Sequence, residues 1–122
     1  MNRDEQVQYL ANVYHVARAD GRVEVIEDQL TEKIARGIGA GYLETRNALD
    51  LSFEKGFEPI PPARLSDRIR CLEDMLAVAR CDRELTVEEK SPIIAFARAI
   101  GVTQAQLQTI QAETRARSEQ SA

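Results

Sequence analysis

The chain has 122 residues, of which 43% are apolar and 30% are charged, and its formal net charge is −4. This is the composition of one soluble globular domain with a single core. The negative charge argues against a surface for nucleic acid or anionic membrane, since each needs a concentrated basic face. No apolar run reaches the roughly 18–20 residues that span a bilayer, so direct membrane insertion is not expected. The acidic N-terminus leads into no apolar signal segment, and we expect a cytoplasmic protein.

The first half of the chain predicts three helices. The first covers residues 4–19, where apolar residues recur at steps of three and four, and Asp20-Gly21 ends it. The second runs over residues 25–38, with Glu27 in its first turn, where negative charge suits the exposed amides. The third covers residues 43–55.

The segment 56–65 is predicted to be a linker between two helical units. It contains Pro59, Pro61 and Pro62, which remove backbone donors and restrict the residues before them. A helix therefore cannot continue through this segment.

Three more helices follow the linker. Ser66 is the expected N-cap of the fourth, and Thr103-Gln104-Ala105-Gln106 predicts a capping box that opens the sixth. The fifth has two possible starts: a capping box after Thr86, or a later start at Pro92. The polar segment 115–122 is predicted to be a frayed tail.

The two halves of the chain repeat one another. Residues 16–39 align with residues 78–101 without a gap, and ten of the 24 aligned positions are identical. A repeat of this kind determines the architecture. We therefore expect a single domain over residues 1–122, an all-α compact bundle of about six helices. Its two helical units, residues 4–55 and 66–113, would be related by a pseudo-two-fold axis.

The two cysteines are expected to be free thiols. Cys71 and Cys81 are ten residues apart on what the pattern predicts to be one helix, which separates their Cα atoms by about 15 Å. A disulfide needs about 4.4–6.8 Å.

The repeat places two carboxylates at each turn between its first and second helices: Asp20 and Glu27 in the first copy, Asp82 and Glu89 in the second. One interpretation is structural, because such carboxylates accept hydrogen bonds from turn amides and suit a helix N-terminus. A second is that they converge on a hard divalent cation, Ca²⁺, Mg²⁺ or Mn²⁺, through oxygen. A third is that they form a charged patch that binds a partner. An EF-hand is excluded, because both turns lack the glutamate at position twelve and the glycine at position six.

The pattern Ala17-Arg18-Ala19-Asp20-Gly21-Arg22-Val23-x-x-x-Glu27, with Ile38-Gly39 and a second copy, resembles the tellurite-resistance TerB-like family. The resemblance covers about residues 4–113. It implies a compact helical bundle with an acidic site linked to a metal. The family includes bacterial stress-resistance proteins, and a related domain occurs in membrane-anchored J-domain co-chaperones. This chain departs from the pattern at Arg83, where the first copy has Gly21.

These observations favour a non-enzymatic TerB-like stress-response or interaction module that acts on another protein as a monomer or weak homodimer. His15, the lone histidine, has no accompanying nucleophile motif. Two alternatives stay open. One is a small metal-assisted hydrolase that uses the paired carboxylates, and the other is a structural protomer that dimerises through exposed Tyr9, Phe57 or Ile60.

Overall fold

The computed structural model describes residues 1–19, 25–79 and 87–121, and the side chains of residues 1–19, 29–79, 90–114 and 116. All regular secondary structure in this part of the chain is helical, which confirms the predicted all-α class. The six helices are α1 (Arg3–Ala17), α2 (Val25–Gly37), α3 (Tyr42–Ser52), α4 (Leu65–Ala79), α5 (Val87–Ala99) and α6 (Gln104–Ser121).

The helix bounds follow the register of the sequence repeat, which pairs residue 16 with residue 78. In that register both ends of α4 align with the ends of α1, both ends of α5 align with those of α2, and the start of α6 aligns with the start of α3. The corners between the second and third helices of each unit also agree. Gly39 has φ +81° and Gly101 has φ +80°, the left-handed conformation that glycine adopts without strain.

Capping residues explain where two helices begin. Asn2 and Glu5 exchange side-chain and backbone hydrogen bonds at the start of α1. Thr103 and Gln106 make the same reciprocal pair at the start of α6, as the sequence predicts. Each pair satisfies two amides that the first helical turn leaves without a partner.

Five predicted boundaries need correction or a decision. α1 ends at Ala17 rather than at residue 19. α3 ends at Ser52 rather than at residue 55, and α4 begins at Leu65, so Ser66 lies inside the helix and is not its N-cap. α5 begins at Val87, the earlier of the two predicted starts, and includes Pro92. α6 continues to Ser121 and so includes residues 115–121, and the fraying expected of this tail stays a prediction.

The core is built around α1. This helix contacts α2, α3, α4 and α5, and most residues from Tyr9 to Ala17 are buried. Tyr9 is 0% exposed, so its predicted role in an exposed dimer contact is wrong. Phe57 is partly buried against the core, whereas Ile60 remains largely exposed.

The contacts between helices are the same when the two halves are exchanged. α1 packs on α2, α3 and α5, and α4 packs on α5, α6 and α2. The side-chain contacts between α1 and α4 show the same equivalence: Tyr9 bonds Asp74, and Asn12 contacts Cys71. In the repeat, residue 9 corresponds to residue 71 and residue 12 to residue 74. Replacing each residue by its counterpart therefore turns one contact into the other. This is the pattern that an approximate two-fold axis between α1 and α4 would give; the axis itself stays a prediction.

The proline-containing linker is attached to α1 through Asn12. The Asn12 side-chain amide donates to the Ile60 carbonyl at 2.8 Å and accepts from the Ile60 amide at 3.1 Å. Arg68 Nε donates to the Pro62 carbonyl at 2.6 Å. The linker therefore has defined partners although it forms no helix.

Cys71 is a buried free thiol in α4, and Cys81 lies outside the described residues. In the part of the chain that the structure covers, no helix is long and apolar enough to cross a membrane.

Candidate functional site

The structure describes the helices that flank the two acidic turns rather than the carboxylates. Asp20 and Asp82 lie outside the described residues. Glu27 and Glu89 are the third residues of α2 and α5, and their side chains lie outside the description. The predicted convergence of these four carboxylates stays a prediction.

The two acidic segments connect equivalent pairs of helices. Each connects a long helix of 15 residues to a second helix of 13 residues, across seven residues: 18–24 in the first unit and 80–86 in the second. In each unit a glutamate stands in the first turn of the second helix, near the positive end of the helix dipole. If the flanking helices allow one acidic segment to bind a ligand, we therefore expect the same of the other.

The ends of α1 and α4 that lead into the turns lie far apart. Tyr9 meets Asp74 and Asn12 meets Cys71, so residue numbers fall in α4 as they rise in α1, and the two helices run antiparallel. Ala17 and Ala79 lie six to seven residues beyond this contact, on opposite sides. At 1.5 Å per residue their separation along the helix axes is about 20 Å. A single ion shared by the two turns would have to bridge this distance.

Arg18, directly after α1, is held by aromatic rings. Its guanidinium carbon lies 4.7 Å from the centre of the Phe53 ring and 5.9 Å from that of Tyr14. The buried Nε atom has no hydrogen-bond partner among the described residues. Cation–π contacts of this kind fix the guanidinium at the start of the first acidic turn.

A buried polar cluster at the α1–α4 contact was not predicted from the sequence. The Tyr9 hydroxyl donates to the Asp74 carboxylate at 2.5 Å, and the Asn12 amide lies 3.9 Å from the Cys71 sulfur. Gln8 donates a further hydrogen bond to Asn12 at 2.9 Å. Polar groups inside an antiparallel helix pair need such partners, because an unpaired buried donor or acceptor is costly.

The chemistry of this cluster is that of a structural element. Burial, with the nearby Asp74 carboxylate, raises the pKa of Tyr9 far above its usual value of 10.0. Burial likewise raises the pKa of the Cys71 thiol, although the hydrogen bond from Asn12 opposes the shift. A neutral phenol and a neutral thiol are poor nucleophiles, and neither is poised for proton transfer near pH 7.

His15 lines a groove between the linker and α5. Its ring lies 5.3 Å from the ring of Phe57, and the groove of about 430 Å³ continues along Pro59, Pro92 and Phe96. Burial lowers the pKa of His15 below its usual 6.5, so the imidazole is neutral at pH 7. A neutral imidazole against a phenyl ring contributes apolar surface and shows no base–nucleophile pair with a described residue.

Metal-ligating side chains do not gather elsewhere in the described structure. Among the described residues, no three His, Cys, Asp or Glu side chains come together in a way that would hold an ion. The four carboxylates predicted from the sequence are outside that set.

Comparison with known proteins finds no matching family model, no matching curated protein and no matching solved structure. The resemblance to the TerB-like family therefore stays a prediction that depends on the motif residues quoted above.

Proposed function

We propose that this chain is a non-enzymatic binding domain of the TerB-like type, a stress-response or interaction module in which each acidic turn holds a divalent cation. The observation that carries the proposal is the repetition of the turn, together with its two flanking helices, in both halves of the chain. Loops usually diverge faster than the helices they connect. Here Asp20 and Asp82, and likewise Glu27 and Glu89, occur at the same positions of the repeat.

The separation of Ala17 and Ala79 favours two sites over one. Each turn would use its own aspartate and glutamate, as oxygen ligands that Ca²⁺, Mg²⁺ and Mn²⁺ accept. The first site should be the stronger. Residues 20–28 contain four acidic residues and one basic residue, whereas residues 82–90 contain four acidic and two basic residues.

Thermal melting with and without each ion tests the proposal. An ion at 100 times its dissociation constant stabilises a protein by about 2.7 kcal/mol. For 122 residues this raises Tm by about 10 °C, since the unfolding entropy is about 0.26 kcal/mol per kelvin. Each occupied site adds its own shift, and we expect Asp20→Asn/Glu27→Gln to remove the larger part of the total and Asp82→Asn/Glu89→Gln the smaller part.

The outcome that contradicts the proposal is equally specific. If Ca²⁺, Mg²⁺ and Mn²⁺ all leave the wild-type Tm unchanged at millimolar concentration, the acidic turns are structural. In that case Asp20→Asn should cost only a few tenths of a kcal/mol to about 1 kcal/mol, because asparagine caps a turn nearly as well as aspartate.

A further inference from the structure

The corners between the second and third helices of each unit form a pair of equivalent grooves. The first, between α2 and α3, has a volume of about 250 Å³, and the second, between α5 and α6, about 240 Å³. Every residue that lines the first groove has its aligned counterpart, in the register of the repeat, in the lining of the second. The two grooves therefore allow a comparison of surfaces within one chain.

The floors of the two grooves differ in polarity. The α5–α6 groove has an apolar floor of Ile93, Ala97, Val102 and Leu107. The residues at the same positions in the first unit are Thr31, Ala35, Ala40 and Thr45. Two threonines of the first unit thus correspond to isoleucine and leucine in the second, so only the α5–α6 floor is apolar throughout.

The wall of the second groove carries positive charge. Lys90, Ile94 and Arg98 form one stripe along α5 at steps of four, and all three are exposed, Ile94 to 41%. Lys90 and Arg98 make no salt bridge within the part of the chain that the structure describes. The corresponding residues of the first unit are Asp28, Glu32 and Arg36. The stripe thus has a net charge of −1 in the first unit and +2 in the second, in a chain whose own net charge is −4.

The opposite wall offers hydrogen bonds without charge. Gln104, Gln108 and Gln111 line it at helical steps along α6. None of the described residues of this groove is acidic. An apolar floor beside two cations complements a ligand that has an apolar face and negative charge.

We infer that the α5–α6 groove binds an acidic, amphipathic helical segment of a partner protein. An apolar side chain of this segment would lie over the floor beside Ile94, and its carboxylates would face Lys90 and Arg98. A groove between two helices accepts a third helix by its apolar face, and charge complementarity selects its sign. The inference rests on the proposed role as a binding module and does not depend on a cation at the acidic turns.

A pair of designed peptides tests this surface. The first is a labelled helix of about four turns with leucines at positions i, i+3, i+4 and i+7 and glutamates on its flanks, and the second has lysine in place of every glutamate. We expect the glutamate peptide to bind saturably in fluorescence anisotropy, with an affinity that falls as NaCl rises. The lysine peptide should bind at least tenfold more weakly. Amide shifts in an NMR titration should map to α5 and α6.

Variants locate the binding and give a matched control. Ile94→Glu places at the groove the residue type of the equivalent position in the first unit, and it should weaken binding about tenfold. Lys90→Gln/Arg98→Gln should weaken binding similarly and remove most of its salt dependence. Glu32→Gln, at the position equivalent to Ile94, should leave affinity within twofold. Melting curves check that each variant is folded.

Four outcomes would overturn the inference: no saturable binding of the glutamate peptide, equal binding of both peptides, amide shifts confined to α2 and α3, or a dimer that Ile94→Glu dissociates. The last would assign the groove to a second copy of the chain. Titrations in EDTA and in Ca²⁺ separate this test from that of the acidic turns. Peptide binding in EDTA supports the groove even if no ion changes Tm, whereas an ion-dependent Tm without peptide binding rejects the groove alone.

Discussion

Asn12 joins α1 to the linker by hydrogen bonds, and Asn12→Ala tests that role. The side chain is fully buried and pairs with both the amide and the carbonyl of Ile60, 48 residues away. Alanine removes both partners of this backbone unit and the acceptor for Gln8. The helix itself should tolerate the change, because alanine has the higher helix propensity.

The expected loss follows from these contacts. Each hydrogen bond to the linker contributes about 1 kcal/mol net, and the emptied volume at a fully buried position adds to the loss. The better helix propensity of alanine returns about 0.5 kcal/mol. The net destabilisation should be about 2–3 kcal/mol, which lowers Tm by about 8–12 °C for 122 residues.

Two measurements together decide whether the reasoning holds. Thermal melting gives the stability, and hydrogen exchange of the Ile60 amide reports directly on the lost bond. We expect this amide to exchange in the variant as it does in an unstructured peptide. Asn47→Ala, the same substitution at an exposed position of α3, should leave stability unchanged or raise it by about 0.5 kcal/mol, because alanine has the higher helix propensity. If the two variants melt together, or if the Ile60 amide stays protected in Asn12→Ala, Asn12 does not hold the linker.

Two further predictions concern the buried cluster between α1 and α4. Tyr9→Phe should destabilise by about 1–2 kcal/mol in chemical denaturation, because it removes the hydrogen bond to Asp74 while water still reaches that half-buried carboxylate; an unchanged unfolding midpoint would contradict this. Folding raises the pKa values of both Tyr9 and Cys71, so the folded state keeps protons that the unfolded chain releases at high pH. The free energy of unfolding should therefore fall as pH rises above about 9, where the unfolded thiol ionises, and more steeply above about 10, where the unfolded phenol ionises as well. Each group contributes a slope of about 1.4 kcal/mol of unfolding free energy per pH unit. In urea titrations, Cys71→Ala should move the onset of this loss from about pH 9 to about pH 10. Equal slopes for wild type and variant between these pH values would show that burial does not protect the thiol.

Local signals in the sequence were sufficient for much of the helical architecture. The capping box at Thr103 and the repeat-aligned start at Val87 are confirmed, because both depend on residues close in sequence. Pro92 is the sixth residue of α5, beyond the first turn, and the helix continues through it with the loss of one backbone donor. The start of α4 was missed by two residues, because Ser66 was taken as the N-cap and serine is also an acceptable helical residue.

Residues whose environment depends on distant segments were not predicted. Tyr9 lies off the apolar stripe of α1, yet it is fully buried, and its hydroxyl bonds Asp74 of α4. Asn12 has the polarity of an exposed helical position, and its role depends on a linker 48 residues later. No local sequence pattern in α1 predicts either contact. For the acidic turns the situation is reversed: the sequence pattern is clear, but their function stays a prediction.

The internal repeat also separates what the fold requires from what a binding function would require. Positions 9 and 71, and positions 12 and 74, hold different residue types, yet the exchanged contacts Tyr9–Asp74 and Asn12–Cys71 both survive between α1 and α4. Divergence there preserves contact, as expected for a shared core. Positions 32 and 94 lie on exposed helix faces, where packing imposes little constraint, and there the first unit has a glutamate and the second an isoleucine. A difference that the core does not require is the one most readily attributed to a partner, which is why the α5–α6 groove rather than the α1–α4 cluster carries the proposed interaction.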